Sequence, residues 1–226
     1  MARSLERERV EPGSPTLSPA AETFLACLAA ARHETWPYDY WLLENPLPAG
    51  ACEAIAGLPF APTRGAEFSG RRETNNATRV YFTPENQAKF EVCRQVVEGF
   101  QDPRVRSAIE QATGADLSGS LLRIEYCQDT EGFWLEPHTD IKVKKFTMLV
   151  YLADDPKLAD AGTDIYQGPP DFEHVGSAPY GKNKGLIFIP GENTWHGVEP
   201  RHIEGVRKSI IINYVTPDWR DAWELA

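Results

Sequence analysis

The chain has 226 residues, 42% of them hydrophobic and 25% charged, which is the size of one domain able to bury about 70% of its unfolded surface. Its 23 basic and 33 acidic side chains give a formal net charge of −10, which repels phosphate backbones and anionic membrane surfaces and disfavours general nucleic-acid binding. Cys27, Cys52, Cys93 and Cys127 are dispersed with no C-x-x-C pair, so neither a disulfide framework nor a structural zinc site is read from them and a reducing, cytoplasmic setting is expected.

Residues 1–18 combine alternating charges with prolines and little that can be buried, which reads as a disordered tail. The remainder, 19–226, is expected to form a single domain, with helical support over about 19–118 and a strand-rich core over about 119–217. No membrane span is expected: the longest early apolar stretch, 24–31, is far below the roughly 18–20 residues required and lies between Glu22 and Arg32. Residues 20–32 are rich in strong helix formers, with Ser18 or Thr23 as the cap. Aromatic residues at 38–43 suggest a strand, and Pro48 opens a short helical stretch that ends near Gly57.

Residues 61–80 lack a period and read as a long loop that covers something. Pro84 begins a helix whose apolar residues Phe90, Val92, Cys93, Val96, Val97 and Phe100 recur at spacings of three and four. A second helix runs from Asp102 to about Thr113 and stops at Gly114. Beyond Ser118 come short β-branched and aromatic runs, SLLRIEYC, FTMLVYL, TDIYQ, GLIFIP and SIIINYV, separated by Gly, Pro and Asp. The expected fold is mainly β with N-terminal helices, its core a double-stranded β-helix of the jelly-roll or cupin-like kind.

The chemistry is concentrated in PHTD, residues 137–140, just before a strong strand. In an extended chain His138 and Asp140 share one face, close enough to hold one ion, while Thr139 points away. His196, after the strand GLIFIP, supplies a third ligand. Two histidines and one carboxylate that leave three adjacent positions open form the facial triad of non-haem Fe(II) oxygenases. Arg207 and Ser209 are likewise two apart on the last strand. A guanidinium beside a hydroxyl suits a carboxylate, and in an otherwise apolar strand an inward Arg needs an anion to offset its desolvation.

These residues resemble the Fe(II)- and 2-oxoglutarate-dependent dioxygenases, particularly the prolyl-hydroxylase-like members, over residues 121–216. H-x-D is matched by His138 and Asp140, the distal histidine by His196, and R-x-S by Arg207 and Ser209. The resemblance implies Fe(II) on His138, Asp140 and His196, 2-oxoglutarate as cosubstrate held by Arg207 and Ser209, and O2 as oxidant. It assigns Tyr126 to the distal carboxylate of that cosubstrate. It further implies hydroxylation of a C–H bond with release of succinate and CO2, and the presence of Asp140 argues against a halogenase. The alternative is a metal-binding cupin-type isomerase or ligand-binding protein, although such cupins usually carry H-x-H.

Trp134, Arg72 and Arg79 are candidates for the substrate. Trp134 precedes the metal motif by one short stretch and is placed to stack, while Arg72 and Arg79 belong to a basic excess in the loop 61–80 suited to an anionic ligand. Lys142, Lys144 and Lys145 read as strand lysines that protect an exposed edge. Lys208 should face away from Arg207. His33, His174 and His202 are assigned structural places. A small-molecule substrate is expected, with no nucleic-acid or membrane partner.

Overall fold

The computed structural model describes residues 16–62, 68–71 and 79–226. Helix α1 (Pro19–Ala29) begins where the sequence supplies a cap: the Ser18 hydroxyl accepts the Ala21 amide at 3.2 Å, and Pro19 takes a first-turn position that needs no N–H. Ser18 therefore belongs to the fold and not to a tail, whereas residues 1–15 lie outside the described residues. Strands β1 (Arg32–Glu34) and β2 (Tyr40–Glu44) and helix α2 (Ala51–Ala56) follow.

The helix expected from Pro84 is two helices, α3 (Pro84–Lys89) and α4 (Glu91–Gln101). They break at Phe90, whose backbone is extended (φ −127°, ψ 109°) and whose ring meets Phe60 edge to face at 5.5 Å. That packing contact overrides the helical period. Helix α5 (Pro103–Thr113) starts on Asp102, which accepts the Arg104 amide at 2.8 Å, and ends at Gly114, whose φ of 73° is the left-handed conformation a C-cap requires.

The strands are β3 (Arg79–Tyr81), β4 (Leu121–Asp129), β5 (Leu135–His138), β6 (Lys144–Tyr151), β7 (Asp164–Tyr166), β8 (His174–Ser177), β9 (Lys184–Phe188), β10 (His196–Val198) and β11 (Arg207–Val215). They form an antiparallel seven-stranded sheet, ordered β1-β2-β9-β6-β11-β4-β3, and a four-stranded sheet, β5-β10-β7-β8. The five apolar runs seen in sequence are β4, β6, β7, β9 and β11. β5, β8 and β10 carry Gly, His and Glu and are too short and polar for a strand period to show.

Alternation along β11 divides the interior. Ile210, Ile212 and Tyr214 join Phe24, Val96, Phe100 and Ile109 in a core between the large sheet and the helices. Ile211 joins Leu149, Tyr151 and Phe188 of the large sheet and Ile165 and Val198 of the small one. The two sheets therefore face each other, in the jelly-roll arrangement expected. β11 pairs along its length with β4 and β6, which puts Arg207 opposite Asp129, Ser209 opposite Cys127 and Tyr151, and Asn213 opposite Arg123 and Thr147. Among the described residues no helix is long and apolar enough to cross a membrane.

The helical layer is keyed to the sheet through Phe24, whose fully buried ring lies 4.8 Å from that of Phe100. Phe24→Ala is expected to lower stability by about 3–5 kcal/mol, read as a shift in the denaturant midpoint at unchanged slope. A shift worth less than about 1 kcal/mol would show that the layer repacks around the lost ring.

Candidate functional site

His138 ends β5 and His196 begins β10, directly opposite each other in the register of the small sheet, with ring centroids 4.4 Å apart. Asp140 follows two residues after His138. One ligand atom from each of the three lies within 4.8 Å of the others. Both imidazoles are anchored through Nδ1, His138 to the Glu136 carbonyl at 2.8 Å and His196 to the Thr194 carbonyl at 2.9 Å. A carbonyl only accepts, so Nδ1 carries the proton and Nε2 the lone pair, the tautomer a metal ligand needs. Burial, and after it the neighbouring His138, pushes the pKa of His196 down to about 3, which keeps that ring neutral at pH 7.

The Asp140 carboxylate is 3% exposed. Lys144 donates to its Oδ1 and the Thr147 hydroxyl to its Oδ2, each at 2.6 Å. Lys144 is thus not an edge lysine: its side chain is 2% exposed, whereas Lys142 stands in solvent at 94%. β6 begins at Lys144, and a register shift against β11 between Phe146 and Lys144 breaks the alternation there, so that Lys144 and Thr147, three residues apart, both reach Asp140.

Arg207 lies on the same interior face. Its Nη1 donates to Asp129 Oδ2 at 2.7 Å and its Nε to the Ala161 carbonyl at 2.7 Å, with the guanidinium 5.5 Å from the centre of the Tyr151 ring. The other Asp129 oxygen accepts from Arg79 Nη1 at 2.8 Å. None of these three side chains is more than 5% exposed. Burial opposes the charge on Arg207, yet Asp129 holds its pKa above the ordinary arginine value. Two cations on one carboxylate leave a formal +1 in the interior. Arg207 Nη2 and Ser209 Oγ are buried and make no hydrogen bond among the described residues. They line, with His138, Asp140 and His196, one pocket. The chemistry on offer is an N–H, a hydroxyl and a positive charge beside three atoms that could ligate a metal, which together suit a carboxylate next to such an ion.

Other expectations are placed differently. Tyr126 is fully buried but pairs opposite Ile210 and packs in the core on the helix side, so the alternation of β4 turns its hydroxyl away from the pocket and gives the inward position to Cys127. Trp134 packs over Gly70, where a Cβ would come within 2.3 Å of the indole; it closes on that backbone and does not line the pocket. Arg79 belongs to β3 and is brought to Asp129, so it serves the interior charge cluster and not a loop surface. Arg72 lies outside the described residues. Lys208 points to the helix side, as alternation requires, and donates to the Ala56 carbonyl at 2.7 Å.

Asp129, Lys144 and Thr147 are the site residues that the sequence reading passed over. The available signal was alternation, which puts Asp129 on the face of Cys127, but its pairing with Arg207 depends on the register of strands far apart in sequence. From His138, Asp140 and Lys144 an open groove leads past Glu136 to Trp219 and Arg220.

The sequence matches no family model and no curated protein. Solved structures do share its fold. A prolyl-4-hydroxylase from Pseudomonas putida superposes with a TM-score of 0.54 at 16% identity, over 87% of this chain and 98% of that one. A prolyl hydroxylase from Trichoplax adhaerens, solved with a peptide fragment of the hypoxia inducible factor oxygen degradation domain, gives 0.53 at 15% identity, over 86% and 88%. The non-heme alpha-ketoglutarate-dependent epimerase SnoN of nogalamycin biosynthesis gives 0.51 at 16%, over 87% and 83%. At these identities the likeness is one of architecture, and it places the chain in the double-stranded β-helix fold that these enzymes share.

Proposed function

We propose that the chain is an Fe(II)- and 2-oxoglutarate-dependent dioxygenase that hydroxylates a C–H bond of a small molecule and releases succinate and CO2. The observation that carries this reading is one pocket holding both a two-histidine, one-carboxylate set and a buried Arg207 and Ser209 pair with donors left over. His138, Asp140 and His196 would hold Fe(II), leaving adjacent positions for cosubstrate and O2. Arg207 and Ser209 would hold the far carboxylate of 2-oxoglutarate, whose charge offsets the formal +1 left by Arg79, Arg207 and Asp129. When bound, iron and 2-oxoglutarate supply oxidative decarboxylation and the activation of O2.

The protein's own contributions follow from its geometry. The carbonyls of Glu136 and Thr194 fix which nitrogen of each histidine is available. Asp129, itself held by Arg79, aims Arg207 into the pocket. Phe133, Leu149, Val198 and Ile211 form apolar walls that exclude water from the reacting centre. The groove beyond Asp140 presents groups of both charges and the Trp219 indole, which suits a polar small molecule. A cupin-type isomerase has no need of spare donors on Arg207 and Ser209 beside the triad, and the oxygenase reading is preferred to it for that reason.

The direct test is an anaerobic titration of metal-free protein with Fe(II) and then 2-oxoglutarate, followed in visible absorption. A weak charge-transfer band that needs both additions supports the reading; bound iron with no band would favour the isomerase or binding protein. Asp140→Ala is expected to abolish succinate release while the variant stays folded, and wild-type-like release would remove Asp140 from the ligand set. Arg207→Ala is expected to weaken 2-oxoglutarate binding by about 3 kcal/mol, measured by calorimetry on the Fe(II)-loaded protein. Unchanged affinity would assign the carboxylate to another cation.

A further inference from the structure

One row of polar groups crosses the interior of the large sheet beside the metal ligands. Thr147 on β6, Asn213 on β11 and Arg123 on β4 are direct cross-strand neighbours on the inward face. Thr147 Oγ donates to Asp140 Oδ2 at 2.6 Å, and Asn213 Nδ2 lies 2.9 Å from Thr147 Oγ. Arg123 Nη1 is 3.3 Å from Asn213 Oδ1. Arg123 in turn gives its Nη2 to Glu125 at 3.1 Å and its Nε to Glu224 at 2.5 Å. Arg123, Asn213 and Thr147 are each no more than 2% exposed.

The polarity of this row is forced from both ends. A carboxylate only accepts, so Thr147 spends its single proton on Asp140 and must accept from Asn213. A guanidinium only donates, so Asn213 must turn its oxygen to Arg123, which leaves its NH2 for Thr147. The amide has one orientation that satisfies both neighbours. Hydrogen bonds aligned in one direction in a low-dielectric interior strengthen one another.

The far end of the row is held by a segment with no ligand in it. Glu224 sits on a 3-10 turn (Ala222–Glu224) after β11, and the guanidinium also lies over the Trp219 ring of the same segment at 4.7 Å and over the Tyr81 ring at 4.8 Å. The Ala226 amide donates to the Leu122 carbonyl at 3.0 Å, which fixes the turn to β4. We propose that Glu224 is a positioning residue for the metal site: acting through Arg123, Asn213 and Thr147, it orients the Asp140 carboxylate, so that metal affinity depends on the segment 216–226. This inference rests on the reading of His138, Asp140 and His196 as metal ligands.

The test is calorimetric titration of the full chain with Fe(II) under anaerobic conditions, with the visible spectrum of the Co(II)-loaded protein as a report on ligand geometry and thermal melting of the metal-free protein as a check on folding. Glu224→Leu, Asn213→Leu and Thr147→Val are each expected to lower affinity by about 10–100-fold and to shift the Co(II) bands, while Glu224→Gln and Thr147→Ser, which keep the acceptor and the hydroxyl, restore most of both. In a Thr147→Val background the loss from Glu224→Leu should largely disappear, because the connection is already cut. Unchanged affinity and unchanged bands in folded variants, or fully additive losses in the double variant, would overturn the proposal; Asn213→Leu decides the matter if Glu224→Leu does not fold. Wild-type protein that binds neither ion would overturn the metal reading itself, and the proposal with it.

Discussion

The interior of this protein is governed by charge. Among the described residues, four cations, Arg79, Arg123, Lys144 and Arg207, and four anions, Glu125, Asp129, Asp140 and Glu224, form the ion pairs in which both side chains are 5% exposed or less. Removing an ion from water costs several kcal/mol even after relaxation, so each of these groups is tolerable only where the fold delivers its partner. Their formal charges cancel over the set but not locally. Counted over these eight side chains alone, Arg79, Asp129 and Arg207 sum to +1, Asp140 and Lys144 to zero, and Arg123, Glu125 and Glu224 to −1. A dication entering with a dianion leaves the total unchanged, while either alone disturbs it.

That balance depends on β11 sitting between β4 and β6 in one register. Because side chains alternate, a slip by one residue would turn Arg207, Ser209 and Asn213 into the apolar core on the helix side and Ile210 and Ile212 into the pocket. The apolar packing of Ile210, Ile212 and Tyr214 against the helices therefore does more than stabilise the sheet. It selects the register in which every interior ion has its partner. The break between α3 and α4 at Phe90 belongs to the same layer, since it lets that ring meet Phe60 while the following helix lays Cys93, Val96, Val97 and Phe100 on the sheet.

The site reads as three connected parts. His138 and His196 come from strands of the small sheet and Asp140 from the turn beyond β5; the large sheet supplies Lys144 and Thr147 to that carboxylate, and the buried Arg207 and Ser209 with their spare polar atoms. The site as a whole thus spans both sheets, and their separation is set by the packing of Leu149, Tyr151 and Ile211 against Ile165 and Val198. The groove that opens past Asp140 is bordered by the segment after β11, so Trp219, whose ring covers Arg123, also forms part of the groove wall.

What the sequence determined by itself was whatever depends on near neighbours. Capping by Ser18, the stop at Gly114, the alternation that separates Arg207 from Lys208, and the shared face of His138 and Asp140 all follow from steric and hydrogen-bonding rules over two to four residues. Only the tertiary structure decided what depends on register between distant strands. Asp129 meets Arg207, Lys144 meets Asp140, and Asn213 joins Thr147 to Arg123 because of which residues lie opposite across β4, β6 and β11 or across a tight turn. Tyr126 shows the same limit from the other side: its place in the chain suggested the pocket, but its parity on β4 sent it to the helices. Local periodicity says which face a residue takes relative to its neighbours, and only the packing of the two sheets says which of those faces is the inside.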